Sequence, residues 1–281
     1  MTIGVVVVNY NAGALLTACV QSVRAERPAA IVVVDNGSTD GSDLALLQAF
    51  PDTQLLRLEN PGFGAANNHG AKHIQTDVVF CINPDTVVHP GAFAQLSRAL
   101  QSDPEVAVVG PRLLNSDGSV YPSARAFPSF IAGAGHGIVG LVWPDNRWSR
   151  AYKRLDQGPA QAGRVDWVSG AAMFIRRSAF DEVAGFDEGY FLYMEEVDLC
   201  WRLRERGWKV RFEPQAVLTH VQGVSTARRP YRMLWSHHAS AIRYNLKTTR
   251  GMSRLMLPIV VGGLLLRVPL AWLAQWRKGL S

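Results

Sequence analysis

Five clusters of carboxylates and carboxamides stand out along this chain: Asn9-Tyr10-Asn11, Asp35-Asn36-Gly37-Ser38, Asn60-Pro61-Gly62, Asn83-Pro84-Asp85 and Glu195-Glu196-Val197-Asp198. Side chains of these types grip the polar edges of a small molecule, hold hard cations through oxygen, or take a proton from an attacking hydroxyl. Two other nucleotide devices are missing: no Gly-x-Gly-x-x-Gly follows the first apolar run, and there is no Gly-Lys-Ser/Thr. A dinucleotide dehydrogenase and a P-loop kinase are therefore disfavoured.

The first four clusters each end a short β-branched run. Strands are expected at Ile3 to Val8, Ile31 to Asp35, Gln54 to Leu58, Val78 to Ile82 and Val106 to Gly110. Helices are expected between them, at about Ala14 to Arg24, Ser42 to Ala49, Gly64 to His73 and Gly91 to Gln101. This alternation predicts βαβ units on a mainly parallel sheet. Ligands of such sheets bind outside the carboxyl ends of the strands, so the four clusters should share one crevice. Arg112 to Arg164 has weak periodicity and is expected to be irregular over the site. Beyond it lie Val165 to Val168, Ala172 to Ile175, a short helix from Ser178, a helix from Glu195 to Arg206 that starts on the fifth cluster, and a strand from Lys209 to Glu213.

The 281 residues are 48% hydrophobic and 19% charged, an ordinary globular composition that excludes disorder and low-complexity repeats. The net charge of +6 is uneven: ten of the 29 basic residues and no acid follow Glu213, so residues 1–213 carry −4 and the remainder +10. A polyanionic partner for the tail is implied. Arg243, Lys247, Arg250 and Arg254 form one helical stripe, with Trp235, Ala239, Ile242 and Leu246 one residue earlier on the neighbouring stripe. That pattern suits a helix in an anionic membrane interface, and it also suits an amphipathic helix packed on the body. Leu255 to Leu273 is 19 residues long, but Arg267, Pro258 and Pro269 within it favour a monotopic or re-entrant association over a span. No nucleic-acid-binding motif accompanies the charge. Cys19, Cys81 and Cys200 are scattered without metal-ligand spacing, which implies a reducing compartment, and the opening apolar run is expected to be a buried strand and not a signal peptide.

Taken in order, Val7-Val8-Asn9-Tyr10-Asn11, Val33-Val34-Asp35-Asn36-Gly37-Ser38-Thr39-Asp40-Gly41, Asn60-Pro61-Gly62-Phe63-Gly64 with Asn67-Asn68, Asn83-Pro84-Asp85, and Glu195-Glu196-Val197-Asp198-Leu199-Cys200-Trp201-Arg202 resemble the motifs of an inverting family 2 glycosyltransferase. The similarity covers roughly residues 3 to 225 and is greatest to the rhamnosyltransferase-like branch. It implies a GT-A fold, Rossmann-like, with a mainly parallel central sheet and helices on both faces. A catalytic domain over 1–226 would carry a membrane-associating helical tail over 227–281. The implied activity is transfer of a sugar, L-rhamnose from dTDP-L-rhamnose in the first instance, to a lipid-linked or surface-polysaccharide acceptor in cell-envelope synthesis. A UDP- or GDP-sugar donor, and a sugar-nucleotide-binding scaffold subunit without turnover, are the alternatives. The implied location is cytoplasmic, peripheral on the inner face of the membrane. The sequence is also compatible with an oligomer.

The resemblance carries roles to particular residues. Asn9, Asn11, Asp35, Asn60, Gly62, Asn68, Asn83 and Asp85 would surround the donor, with Asp35 on the base. The bland reading of Asp35-Asn36-Gly37 is a turn, and Asp40 reads as a helix cap. Asn83-Pro84-Asp85 stands where many such enzymes have Asp-x-Asp, so Asp85, with His220 24 residues after Glu196, would hold a divalent cation, Mg²⁺ or Mn²⁺. Glu-Glu replaces the usual Glu-Asp, making Glu196 the expected base and Glu195 its alternative. Without that role, the three acids would simply favour the helix N-terminus, with Asp198 pairing Arg202. Trp167 is an acceptor platform or a packing residue. Asp187 is expected to be structural.

Overall fold

The structure is a computed structural model, and it describes residues 1–127, 161–221, 230–258, 261–263 and 265. Strands β1 (Ile3–Asn9), β2 (Ala30–Asp35), β3 (Gln54–Arg57) and β4 (Val78–Ile82) pair in parallel, with helices α1 (Ala14–Ala25), α2 (Ser42–Ala49) and α3 (Phe63–Ala71) between them. Next come β5 (Thr86–Val88), α4 (Ala92–Gln101), β6 (Val106–Leu114), β7 (Val120–Tyr121) and β8 (Ala124–Arg125). The second half contains β9 (Gly163–Val165), β10 (Trp167–Val168), β11 (Ala172–Arg176), α5 (Arg177–Glu182), α6 (Glu195–Glu205), β12 (Lys209–His220) and α7 (Pro230–Thr248). The main sheet runs β3-β2-β1-β4-β11-β6-β12-β5, so the strand order reverses beside β1. That reversal opens a crevice at the carboxyl ends of β1 and β4.

β-Branched residues make β1 a strand, and its two-residue period sends alternate valines to opposite faces. Val6 and Val8 join a core under α3, α5 and α6, whereas Val5 and Val7 join one under α1, α2 and α4. The expected two-faced α/β arrangement therefore holds. Helix α1 buries Leu16, Cys19, Val20 and Val23 at helical spacing. On the other face, a Cβ on Gly70 of α3 would lie 2.5 Å from a Val6 methyl and 2.9 Å from a Val34 methyl. Glycine there lets the helix sit close on β1 and β2.

Three features depart from the sequence reading. Strand β11 enters between β4 and β6 antiparallel to both, which makes the sheet largely but not wholly parallel. The expected strand Val165 to Val168 is two strands: β9 pairs with β12 and β10 pairs with β8. Finally, β12 does not stop at Glu213 but continues to His220 through an irregularity at Glu213/Val217, and its end pairs with the unexpected β5. Pro214 falls within that irregularity, and Pro is tolerated where pairing is already interrupted.

Helix α7 forms as its periodicity requires, yet its polarity is the reverse of the membrane reading. The basic stripe faces acids of the body: Arg243 and Lys247 bond Asp187, Lys247 also meets the fully buried Asp198, and Arg250 meets Glu205. The apolar stripe faces outward, with Trp235 58% and Leu246 52% exposed. The packed-helix alternative accounts for the cations. Residues 222–229, where the expected boundary at 226/227 falls, and most of Leu255 to Leu273 lie outside the described residues. Among the described residues no helix is long and apolar enough to cross a membrane.

The clamp on Asp187 has a pH signature. Burial alone would raise this carboxyl, but hydrogen bonds from Lys247, the Gly189 N–H and Arg243 outweigh it and lower the pKa to about 2. A carboxyl depressed from 3.8 in this way contributes stability above pH 4 that is lost as pH falls through about 2. With its side chain 19% exposed, solvent screening reduces the contribution to about 1–2 kcal/mol. Acid denaturation of Asp187→Asn should therefore begin from a less stable protein at pH 6, and its stability should change less than wild type between pH 4 and pH 2.

Candidate active site

A cavity of about 600 Å³ opens at the strand ends, lined by residues of all five clusters. Its volume is that of a small-molecule site. One part of the wall is neutral and polar. Asn11 and Asn60 are both in the left-handed region, at φ 52° and 54°, a conformation asparagine tolerates. Asn11 Oδ1 accepts from the Thr39 N–H at 2.8 Å, and Asn36 Nδ2 donates to Asn60 Oδ1 at 3.1 Å. Asn36 Oδ1 is buried with no hydrogen-bond partner, so this wall keeps an acceptor for a ligand.

Behind the wall stand two residues expected on it. Asn9 is fully buried, and its Nδ2 donates to Asp35 Oδ2 at 2.7 Å, Ser38 Oγ at 3.0 Å and Ser42 Oγ at 2.8 Å. Asp35 Oδ1 accepts from the N–H groups of Gly37 and Ser38. Asn9 and Asp35 thus hold the turn that presents Asn36, Gly37 and Thr39, and neither lines the cavity. Asp40 accepts from the Ser42 N–H and hydroxyl and from the Gly13 N–H, holding the start of α2 from one residue before its N-cap, Gly41.

The segment Asn60 to Asn68 meets protein more than it meets the cavity. Gly62, at φ 110°, brings its backbone so near Phe191 that a Cβ would lie 2.6 Å from the Phe191 carbonyl oxygen. Asn68 is not on the wall: its amide pairs with both the N–H and the C=O of Phe186, each at 2.8 Å, and reaches Glu188 at 3.1 Å. Gly62 and Asn68 are framework residues that dock the segment before α6 onto α3. Asn67 bonds the Phe63 carbonyl of its own helix.

Strand pairing assembles the expected cation ligands. His220 stands opposite Thr86, and the Val221 N–H donates to the Asp85 carbonyl at 2.9 Å. This brings Asp85 Oδ1 within 3.2 Å of His220 Nε2, with Asn83 Nδ2 3.4 Å from the same nitrogen. Asp85 Oδ1 and His220 Nδ1 are buried without hydrogen-bond partners. Two unsatisfied groups of these types suit a divalent cation. Among the described residues no cluster of three or more His, Cys, Asp or Glu could hold a metal unaided. Ligand oxygens would therefore have to complete the coordination. Furthermore, no lysine or arginine is among the described residues lining the cavity.

Glu195 and Glu196 line the cavity at the start of α6. The turn entering the helix is strained: Tyr193 and Met194 sit at φ 69° and 68°. Glu195 is only 3% exposed. Burial, and then the Glu196 charge, push its carboxyl well above the usual carboxylate range. Burial also raises Glu196, but the backbone N–H groups at the helix start and Arg125 work against it. Each carboxylate keeps one oxygen without a hydrogen-bond partner. One proton is best held on the more deeply buried Glu195, leaving Glu196 to ionise. Asp198 is not on the wall and bonds Arg202 at 2.6 Å.

Trp167, expected as an acceptor platform or a packing residue, is not among the residues lining the cavity. It is buried, its Nε1 donates to the Ala126 carbonyl at 2.7 Å, and Arg125 lies over its ring. Beyond β10 the cavity wall is Ser169, Gly170 and Ala171. Several wall residues carried no signal in the sequence: Tyr121, from the weakly periodic middle; Phe191 to Tyr193, in a loop; and Met233, on α7. Ser240 of α7 donates to the Leu192 carbonyl at 2.9 Å, bracing that loop.

Comparison with known proteins identifies the family. The chain is 39% identical over 250 residues, 84% of its length and 81% of the relative's, to the N-acetylglucosaminyl-diphospho-decaprenol L-rhamnosyltransferase of Mycobacterium tuberculosis. It is 32% identical over 68% of its length to the pre-mycofactocin glycosyltransferase of the same species, of which it covers 37%. A crystal structure of GalNAc-T7 with UDP, GalNAc and Mn²⁺ superposes with a TM-score of 0.57 at 19% identity, over 78% of this chain and 43% of that one, a likeness of fold. Residues 143–278 match glycosyl transferase family group 2. Residues 4–184 match glycosyl transferase family 2, and the chain is a glycosyltransferase belonging to that family.

Proposed function

We propose that the protein transfers L-rhamnose from dTDP-L-rhamnose, with inversion, to a lipid-linked N-acetylglucosaminyl diphosphate. The observation that carries this reading is the convergence on one cavity of an amide-rich wall, the Asp85–His220 pair and the Glu195–Glu196 pair. The sugar and acceptor are taken from the M. tuberculosis relative and its high coverage of both chains.

In this reading the pyrimidine base lies against Asn11, Asn36, Thr39 and Asn60, where Asn36 Oδ1 is free to accept its ring N–H. Asp85 and His220 would hold a divalent cation, which supplies the positive charge that stabilises the departing diphosphate. Among the described lining residues no lysine or arginine offers that charge. Glu196 takes the proton of the acceptor hydroxyl. The acceptor oxygen forms a bond to the anomeric carbon as the bond from that carbon to the diphosphate oxygen breaks, and the electron pair leaves with the diphosphate. Glu195, kept protonated, adds no second negative charge beside Glu196.

The division into a catalytic domain over 1–226 and a tail over 227–281 belongs to the same proposal, as does peripheral attachment to the inner face of the membrane. The surface offered to lipid is the outward stripe of α7 with Leu255, which is 75% exposed, and not the cations that bond the body. A panel of dTDP-, UDP- and GDP-sugars with N-acetylglucosaminyl diphosphoryl lipid tests this function. Transfer of rhamnose from dTDP-L-rhamnose, dependent on Mg²⁺ or Mn²⁺, is expected. Preference for another donor would refute the sugar assignment, and donor binding without transfer would refute turnover on this acceptor.

A further inference from the structure

A single ammonium group, Lys247 Nζ on α7, meets two carboxylates that bracket part of the cavity wall: Asp187 Oδ2 and Asp198 Oδ1, each at 2.7 Å. Asp187 lies in the segment before α6, and Asp198 in the first turn of that helix, where its N–H donates to the Met194 carbonyl at 2.8 Å. Between them stand Phe191, Leu192, Tyr193, Glu195 and Glu196, all of which line the cavity. The same stretch contains the left-handed Tyr193 and Met194, a backbone that persists only where its surroundings hold it. Neither carboxylate depends on Lys247 for a counter-ion. Arg202 Nε already donates to Asp198 Oδ2 at 2.6 Å, and Arg243 Nη2 to both oxygens of Asp187 at 2.9 and 3.1 Å. Arg202 also ties α6 back to the Val183 and Gly185 carbonyls. What Lys247 adds is a direct link between the two ends of the wall segment.

We infer that Lys247 is a positioning residue for the transfer: by holding Asp187 and Asp198 together from α7, it sets where Glu196 and the wall from Phe191 to Tyr193 stand against the acceptor. This rests on Glu196 being the base. Two more contacts from α7 act on the same segment. Ser240 Oγ donates to the Leu192 carbonyl at 2.9 Å, and the His237 ring packs edge-on to Tyr193 at 5.6 Å. Met233 brings the helix to the cavity itself. Helix α7 is then part of the catalytic apparatus, and not only the element that would meet lipid. A base must lie within hydrogen-bond reach of the attacking oxygen, and a displacement of about 1 Å costs about 100-fold in rate. The amide wall of Asn11, Asn36, Thr39 and Asn60 comes from other strand ends, so nucleotide binding does not need the link.

The test compares the full chain with its Lys247→Met and Arg250→Met variants. Methionine keeps an apolar stem and removes the ammonium. Arg250→Met is the control, since it deletes the α7 bond to Glu205 at the far end of α6 and should leave kcat unchanged. Lys247→Met should lower kcat for rhamnosyl transfer to N-acetylglucosaminyl diphosphoryl lipid by about 10- to 100-fold. Its KM for dTDP-L-rhamnose, and the affinity and stoichiometry of dTDP in calorimetry, should match wild type, which separates misplacement of the base from loss of folded protein. Hydrogen exchange reads the link without turnover: backbone amides of 188–196 should exchange faster in Lys247→Met, with β1 and α4 unchanged. If Lys247→Met does not fold, Asp187→Asn, which releases one end of the link, should show the same loss of kcat and the same local exchange. An unchanged kcat, a loss equalled by Arg250→Met, or unchanged exchange over 188–196 overturns the proposal. A wild type that transfers no rhamnose refutes the sugar or acceptor assignment instead, and hydrogen exchange then decides for or against the link.

Discussion

Glu196→Gln should lower transfer by about 10²- to 10⁴-fold while dTDP binds as in wild type, because a general base contributes about that much and the substitution removes it without changing shape. Glu195→Gln should cost less than about tenfold. The contrast follows from burial. Glu195 sits deeper and carries the proton in the native protein, so a neutral amide of the same length reproduces its charge and hydrogen-bonding capacity. Glu196 works as the anion, which an amide cannot replace. The pH dependence has a definite sign: both carboxyls are raised above 4.5, so activity should increase with pH as Glu196 loses its proton, with the limb above the ordinary glutamate range. Steady-state rates and calorimetric titration of dTDP into both variants check the pair. Equal losses in the two would mean that the acids act as one structural unit.

Asp85→Ala is the second large effect, an expected loss of at least about 100-fold in transfer, since removal of even an outer-shell partner of a metal site costs 10- to 100-fold. The physical argument is one of charge. The described wall presents no lysine or arginine to a departing diphosphate, and Asp85 and His220, brought together by strand pairing, each keep a buried atom without a hydrogen-bond partner. His220→Ala should cost less, because imidazole is neutral when it ligates and its place can be taken by water. A readout independent of turnover is Mn²⁺ binding followed by electron paramagnetic resonance. Wild type should bind the ion weakly alone and more tightly with dTDP, as two protein ligands require the nucleotide to complete the shell. Asp85→Ala should abolish the nucleotide-dependent component. Tight Mn²⁺ binding without nucleotide would contradict this assignment.

The sequence and the structure agree where local pattern and global position coincide. The valines of β1 alternate between two cores, and two acids at a helix start face the cavity; both follow from short-range periodicity. The expected strand ends also delivered most of the polar wall. Composition could not separate residues that touch a ligand from those that hold the touching residues. Asn9, Asp35 and Asn68 have the side chains of ligand contacts, but each spends its hydrogen bonds on a turn or on Phe186, and the cavity is left to neighbours such as Asn36. Trp167 was legible as an aromatic beside the site, but not as the floor under Arg125. The join between Asp85 and His220 depends on β5 and the far end of β12, strands too short or too interrupted at Pro214 to show a period.

The tail illustrates a different limit. A helical wheel shows that a basic and an apolar stripe lie side by side on α7, but it does not say which one faces inward. Asp187, Asp198 and Glu205 decide it, and all three are far away in the chain. Opposite charges draw the cations onto the body and turn Trp235 and Leu246 outward. The +10 region is thus partly an internal counterweight to the −4 body.

The measurement that tests the mechanism most directly is the anomeric configuration of the first transferred sugar, read by NMR from one-bond C–H coupling in a product formed with ¹³C-labelled donor. A single ionised base, Glu196, acting on the acceptor hydroxyl requires one displacement at the anomeric carbon. The product should therefore have the configuration opposite to that of the donor. A product of the same configuration would require a second displacement, and would contradict the assignment of Glu196 as the base.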